Sequence, residues 1–396
     1  MMKKDIKRNI WTMQSFYLLT FFGTGSLYPL LSVYLSDVEH LNGYQIGTIM
    51  SISPIVMIFF QPIWGMVSDK LNAPIKILTA ATVVAGIFGL GYIAFNGYYW
   101  IFMTATLVAI FQSAIIPVSD SLALKYTSKV KVNYGNIRLF GSLGFGLAVF
   151  IMGRLSELDP EIIFYSFFFS LLLASFLASR MPFEKSSKNQ NLLGGVKEIL
   201  FHKKFLVFLG ITFLVFGPNL ANNTYFGLFI DGSGGTYTGI GIAFLLAVLS
   251  EVPFMKVAAS WINRIGLLQV ATIAGIVSLA RWLLYFAEPD LWIIYATSIL
   301  QGFSIGLFIP AGLQYIRDIT PVHITATAIT LYSAIGNGLG NWFCTFVGGI
   351  IFEESSIFTV YLFFAILAFI GICLSLWLIK EEKGSSKIRA TSKMNF

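Results

Sequence analysis

Long apolar runs separated by short polar turns recur from one end of the chain to the other. Twelve can be placed, near residues 11–35, 44–68, 75–95, 98–124, 134–155, 162–180, 205–230, 238–262, 266–287, 290–316, 322–350 and 355–380. Runs of about 20 apolar residues are long enough to cross a bilayer as helices. They are continuous rather than alternating, which excludes the strands of a membrane barrel. The pattern predicts an all-α membrane protein of twelve transmembrane helices. The longest polar interruption is residues 181–204, which separates a bundle at 1–180 from one at 205–380 and includes VKEILFHKKF, a candidate amphipathic helix. A polar tail, 381–396, follows and lacks the apolar content to order itself.

The two halves repeat weakly. Gly65 to Lys70 after the second segment matches Ala259 to Arg264 after the eighth, and Leu139 to Leu147 matches Leu331 to Leu339 at a constant offset of 192. Glycine-rich helices also look alike because they pack closely. Six helices repeated about an axis along the membrane normal is a known transporter plan, with the substrate site between the halves. The expectation is two pseudo-symmetric six-helix halves.

Charge changes the picture by its position. Of 26 Lys and Arg, only Arg154 falls on the side opposite the termini, and Arg138, Lys256 and Arg281 lie within segments. The remaining 22 share the side of both termini. Acidic residues such as Asp37, Glu39, Glu157, Asp231 and Glu353 gather on the other side. The positive-inside rule makes both termini cytoplasmic, so the net charge of +7 is a topology signal and not a nucleic-acid footprint. The basic start MMKKDIKRNI resembles a signal peptide, but the run after it is long and no small-residue cleavage site follows, so it reads as a retained first helix. Hydrophobic residues make up 56% and charged ones 11%, and the mean hydropathy is +0.78. About 25% charge is usual for a soluble domain, so no such domain of any size is expected. Cys344 and Cys373 both lie in apolar segments and form no disulfide framework.

The charges deep in the segments are few: Asp120, Arg138, Glu251 and Arg281, with Lys256 close enough to the inner end to snorkel. A charge in hydrocarbon is costly and is usually retained for a function. Asp120 and Arg138 lie on consecutive segments, both about 6–8 Å inside the cytoplasmic boundary. At matched depth they can meet, either as a structural ion pair or as a site for hydroxyl-bearing substrates. Phe145, two turns beyond Arg138, can stack on the apolar face of a sugar or nucleoside. Glu251, mid-membrane beside Pro253, is a candidate proton carrier. Arg281 lies at a depth about 10 Å different, so pairing with Glu251 is not expected. Asn219, Asn222 and Asn223 in the seventh segment and Gln301 in the tenth are either substrate contacts or interhelical glue. His40, His202 and His323 lie in loops, and the chain has no Cys/His cluster and no phosphate-binding loop. No cofactor or enzyme chemistry is expected, and an ion or solute gradient supplies the energy.

These residues resemble the major facilitator superfamily over essentially the whole chain. Gly65-Met-Val-Ser-Asp69-Lys70 is a degraded form of its inner-loop signature. PVSDSLALKY…YGNIRLFGSLGF resembles the lactose permease branch, with its nucleoside–proton symporter and phenylpropionate permease-like relatives. The resemblance implies substrate binding by Asp120, Arg138 and Phe145, proton coupling through Asp120, Glu251 and Arg281, and gating by Gly65, Asp69 and Lys70. The histidine and proton-carrying glutamate of lactose permease's helix ten fall on Gln301 and Ser304, and its helix-eleven lysine on Asn337. That argues against lactose itself and against that proton route. The expected function is proton-coupled uptake of a small polar solute such as a sugar, oligosaccharide or nucleoside, by a monomer in the plasma membrane whose partners are the solute, protons and lipid. The alternative is a proton-driven exporter of drugs or lipids. Against it, the fifth segment lacks the Gly-Pro run that antiporters of the superfamily carry there.

Overall fold

The computed structural model describes residues 2–183, 203–321 and 324–394, except the side chains of residues 2–4, Asp69, Ala326 and 383–394. Every regular element among them is helical. In chain order these are α1 (Met2–Asp37), α2 (Gly43–Leu71), α3 (Pro74–Gly89, continued by a turn at Gly91–Ala94), α4 (Tyr98–Val130), α5 (Gly135–Leu155) and α6 (Ile162–Ala178). Then come α7 (Lys203–Gly232), α8 (Tyr237–Ile265), α9 (Leu267–Phe286), α10 (Leu291–Ile319), α11 (Thr325–Ser333, Ala334–Gly340 and Asn341–Glu354) and α12 (Ile357–Met394). Eleven are long and apolar enough to cross a membrane, and α6, with 17 residues, is the shorter twelfth. Each expected segment falls on one of them. Most of the amphipathic stretch expected in the central loop, 196–202 with His202, lies outside the described residues, as does His323; its last three residues, Lys203 to Phe205, begin α7.

Helix ends differ most from expectation where charge begins. α4 runs on past Lys125 and Lys129 and stops at Lys131, whose φ of 56° turns the chain left-handed. α12 continues to Met394, which corrects the reading of the tail as unordered. The polar residues just past the apolar run are anchored: Glu381 pairs with Lys203 and Glu382 with Lys204, each at 3.3 Å, and Tyr315 Oη donates to Glu382 at 2.9 Å. Composition alone does not show such partners.

The chain forms two compact units. The first comprises Met1–Lys188, Asn223–Val248 and Thr345–Ile357; the second comprises Asn189–Asn222, Leu249–Cys344 and Phe358–Phe396. In the first unit α1 packs on α5 so closely that a Cβ on Gly144 would come within 2.2 Å of the Leu18 carbonyl oxygen. At the end where α1 finishes, α2 crosses α11 and α5 crosses α8. Gly47 and Gly349 allow the first crossing, where a Cβ on either would meet the other's Cα within 2.7 Å. Each crossing is topped by a carboxylate on a helix N-terminus. Glu353 accepts from the Gly43 amide at 2.8 Å, and Glu157 accepts from the Thr238 amide at 2.9 Å. Such carboxylates satisfy orphan amides and complement the helix dipole. The Thr238 amide holds the Glu157 carboxyl below the usual glutamate range.

In the second unit an aromatic core joins α7, α10 and α11. Phe208 packs on Tyr315 at 4.6 Å, and Phe216 stacks on Phe308 at 5.4 Å. Two π-helical stretches, Thr212–Phe216 in α7 and Ala334–Gly340 in α11, lie against each other. Gly336, which matches Gly144 in the repeat, faces Thr212 and Phe216 as Gly144 faces Leu18. Both halves thus use the same glycine position to bring their fifth helix against their first.

Candidate functional site

On the first unit's α1, Tyr17 and Phe21 are four residues apart and therefore share a face. Their rings stack at 6.4 Å with an interplanar angle of 9°. Asp120 comes from α4, one turn beyond Pro117, and Tyr134 and Arg138 come from the start of α5, again four residues apart. Asp120 Oδ1 accepts two phenolic hydroxyls, from Tyr17 and from Tyr134, the latter at 2.7 Å. Arg138 lies over the Phe21 ring, with its guanidinium carbon 4.3 Å from the centroid, and 5.8 Å from the centroid of Tyr17. Tyr17 is fully buried, while Asp120 and Arg138 are half-buried.

Asp120 and Arg138 are therefore brought to one place, but they do not form an ion pair among the described residues. Tyr17 stands between them, with its hydroxyl on the carboxylate and its ring under the guanidinium. No hydrogen bond from Arg138 to another described side chain occupies its N–H fork. A planar fork of donors beside a carboxylate that already accepts O–H groups can bind hydroxyls of either polarity. Phe145 follows two turns along α5, half-buried, with its backbone against Gly25 of α1. Further along, Tyr28 donates to Gln112 of α4.

The second unit holds a different cluster. Arg281 on α9 is 1% exposed and donates from Nη1 to Gln301 Oε1 of α10 at 3.2 Å. The same oxygen accepts from Asn222 Nδ2 of α7 at 3.0 Å, and Asn222 Oδ1 accepts from Tyr361 of α12 at 3.0 Å. Arg281 lies over Trp282 at 4.2 Å, and its Nε and Nη2 have no hydrogen-bond partner among the described residues. Asn219 turns instead to Ser278 of α9 at 2.9 Å and to the Val215 carbonyl at 2.8 Å, which is the interhelical-glue role. Asn223 belongs to the other unit. Glu251 is half-buried where α8 crosses α10; a Cβ on Gly306 would come within 2.9 Å of its carbonyl oxygen.

Residues 10–363 match the model of the MFS_1 like family. The chain belongs to this family. It is 52% identical over 381 residues to the uncharacterized transporter YwbF of Bacillus subtilis (strain 168), covering 96% of each chain. It is 48% identical over 371 residues to the maltose permease of Geobacillus stearothermophilus, covering 93% of this chain and 94% of that one. The crystal structure of the nucleoside transporter NupG shares the fold, with a TM-score of 0.84 at 16% identity over 94% of this chain and 99% of that one. The protein is a multi-pass membrane transporter with the major facilitator fold, as its residues led one to expect.

The residues expected from sequence to take part in gating lie at the end of α2. Gly65 faces open space and Lys70 is exposed, while the Asp69 side chain lies outside the described residues. Sequence reasoning missed Tyr17, Phe21, Tyr134 and Tyr361. The available signal was spacing: Tyr134 lies one turn before Arg138, and Tyr17 one turn before Phe21.

Proposed function

We propose that the protein takes up a sugar, of the size and chemistry of maltose, by proton-coupled symport and alternating access. The observation that carries this reading is Asp120 accepting two hydroxyls beside an Arg138 whose donors meet no acceptor side chain among the described residues. A sugar presents hydroxyls to both groups and an apolar ring face to Phe145. The 48% identity to a maltose permease supports the same class. Asp120, Arg138 and Phe145, all of the first unit, are assigned to the solute, while Asn222 and Gln301 form the hydrogen-bonded chain that reaches Arg281 in the second. Glu251 carries the proton, together with Asp120 and the fixed charge of Arg281. Asp69, Lys70 and Gly65 stabilise one state from the inner turn. The protein works as a monomer in the plasma membrane with both termini cytoplasmic, on the strength of the positive-inside bias.

The test is maltose entry into proteoliposomes with internal pH recorded, beside a panel of other sugars and nucleosides. Maltose entering with protons is expected. Glu251→Gln should abolish proton-driven accumulation and spare maltose exchange. Accumulation unchanged in that variant removes Glu251 from the coupling, and entry of nucleosides but not sugars replaces the substrate class.

A further inference from the structure

We infer that Tyr17 is a positioning residue that holds Asp120 and Arg138 apart and so keeps the site receptive to substrate. The inference rests on the reading of these two residues as the solute site. Opposite charges on adjacent helices in a partly dehydrated place attract strongly. If they closed on each other, the planar guanidinium would engage the carboxylate through its fork. Each hydroxyl-bearing solute would then first have to break that pair. Tyr17 gives each charge a different partner. Its hydroxyl donates to Asp120 Oδ1, and its ring and that of Phe21 form a stacked platform for Arg138 at 5.8 and 4.3 Å. A cation over a ring keeps its edge N–H groups free, which an ion pair would not.

Tyr134 fixes the arrangement from the other side. It donates to the same carboxylate oxygen at 2.7 Å, and its ring meets the Tyr17 ring edge-on at 6.5 Å and 77°. Oδ2 takes no hydrogen bond from another described side chain, so one carboxylate oxygen and the guanidinium fork stay open. Tyr134 has no contact with Arg138 of the kind Tyr17 has, and so it orients the carboxylate without separating the charges. The full burial of Tyr17 leaves its hydroxyl no solvent to turn to, so its bond to Asp120 is its stable arrangement.

The experiment is site-resolved labelling of Arg138 by phenylglyoxal, a reagent selective for accessible guanidinium groups, in the full-length protein, quantified by mass spectrometry. Maltose counterflow is measured in parallel. Tyr17→Phe keeps the ring and removes the donor. Its expected effects are slower labelling of Arg138 and about a tenfold rise in the half-saturating maltose concentration, the scale of one charge-assisted hydrogen bond, with the maximal rate changed about twofold or less. In Tyr17→Phe/Asp120→Asn the competing carboxylate charge is gone, and labelling returns to the wild-type rate. Tyr134→Phe leaves labelling at that rate. A purely structural role for Tyr17 would not produce rescue by a second substitution in its partner. Unchanged labelling and half-saturation in Tyr17→Phe, or slowed labelling that Asp120→Asn does not restore, overturns the inference. If maltose fails to protect wild-type Arg138 and Arg138→Lys transports as wild type, the solute-site reading falls instead. The labelling rates of the Tyr17 variants still decide the spacing role separately.

Discussion

Arg138 and Arg281 are the two arginines set deep in the helices, and the protein treats them in opposite ways. Arg138 is half-buried on an aromatic platform, beside but not bonded to a carboxylate. Arg281 is 1% exposed and, among the described residues, bonded once to an amide oxygen with two nitrogens left without hydrogen-bond partners. An incompletely partnered buried charge costs several kcal/mol. Under the proposed function the first is a binding group held ready for solute; the second is a buried cation only partly partnered among the described residues. Activity measurements alone cannot separate these two conditions, because both arginines are expected to be required. Stability measurements can.

The largest contrast is expected between Arg281→Met and Arg138→Met. Both should reduce maltose counterflow at least about a hundredfold, since each removes more than one charge-assisted bond in the proposed cycle. Arg281→Met should nonetheless leave thermal unfolding in detergent unchanged or raise stability by about 1–4 kcal/mol, because a buried, unneutralised charge is replaced by an apolar chain. Arg138→Met should change it by about 1 kcal/mol or less, the scale of a partly exposed cation–π contact. Equal destabilisation by both would break the contrast. Next in size is Gln301→Leu, which takes the acceptor from both Asn222 and Arg281 and should cost about 1–3 kcal/mol in the same unfolding assay. Asp120→Asn should be milder for stability, because the remaining amide oxygen still accepts from Tyr17 and Tyr134, while half-saturation for maltose rises.

The smallest effect is a pH dependence at the α5–α8 crossing. The Glu157 carboxyl is held below its ordinary value by the Thr238 amide, so the charged form is favoured in the folded chain. Its contribution is present above the unfolded value, about 4.3, and is lost as pH falls through the lower folded value. Thermal unfolding of the purified protein in detergent should therefore show no Glu157-dependent change from pH 7 to pH 5. A small loss of stability should appear only at more acidic pH, and Glu157→Gln should remove that part of the pH dependence. The group is exposed, so the change is modest.

The helices were legible because hydrocarbon selects continuous apolar runs, and every expected segment has its helix. Asp120 and Arg138 were legible because a charge is conspicuous there. Tyr17 and Phe21 were not, since an aromatic residue in a membrane helix suits lipid as well as a site, and only packing between α1, α4 and α5 gives them a role. Matched depth allowed a direct Asp120–Arg138 contact that the described residues do not form, because depth does not reveal a ring interposed between two side chains. The π-helical stretches in α7 and α11 arise from the approach of two helices and leave no mark in local propensity. The ordered start of the α12 tail depended on Lys203 and Lys204, almost 180 residues away in the chain.

Equilibrium binding of maltose to the purified protein, compared between wild type and Arg138→Lys by calorimetry, tests the central claim most directly. Lysine keeps the charge but loses the planar fork. Binding by the wild type and at least about tenfold weaker binding by the variant, the scale of one charge-assisted hydrogen bond, is the predicted result. Equal affinity in the two proteins would contradict the assignment of Arg138 and Asp120 as the place where the solute is held.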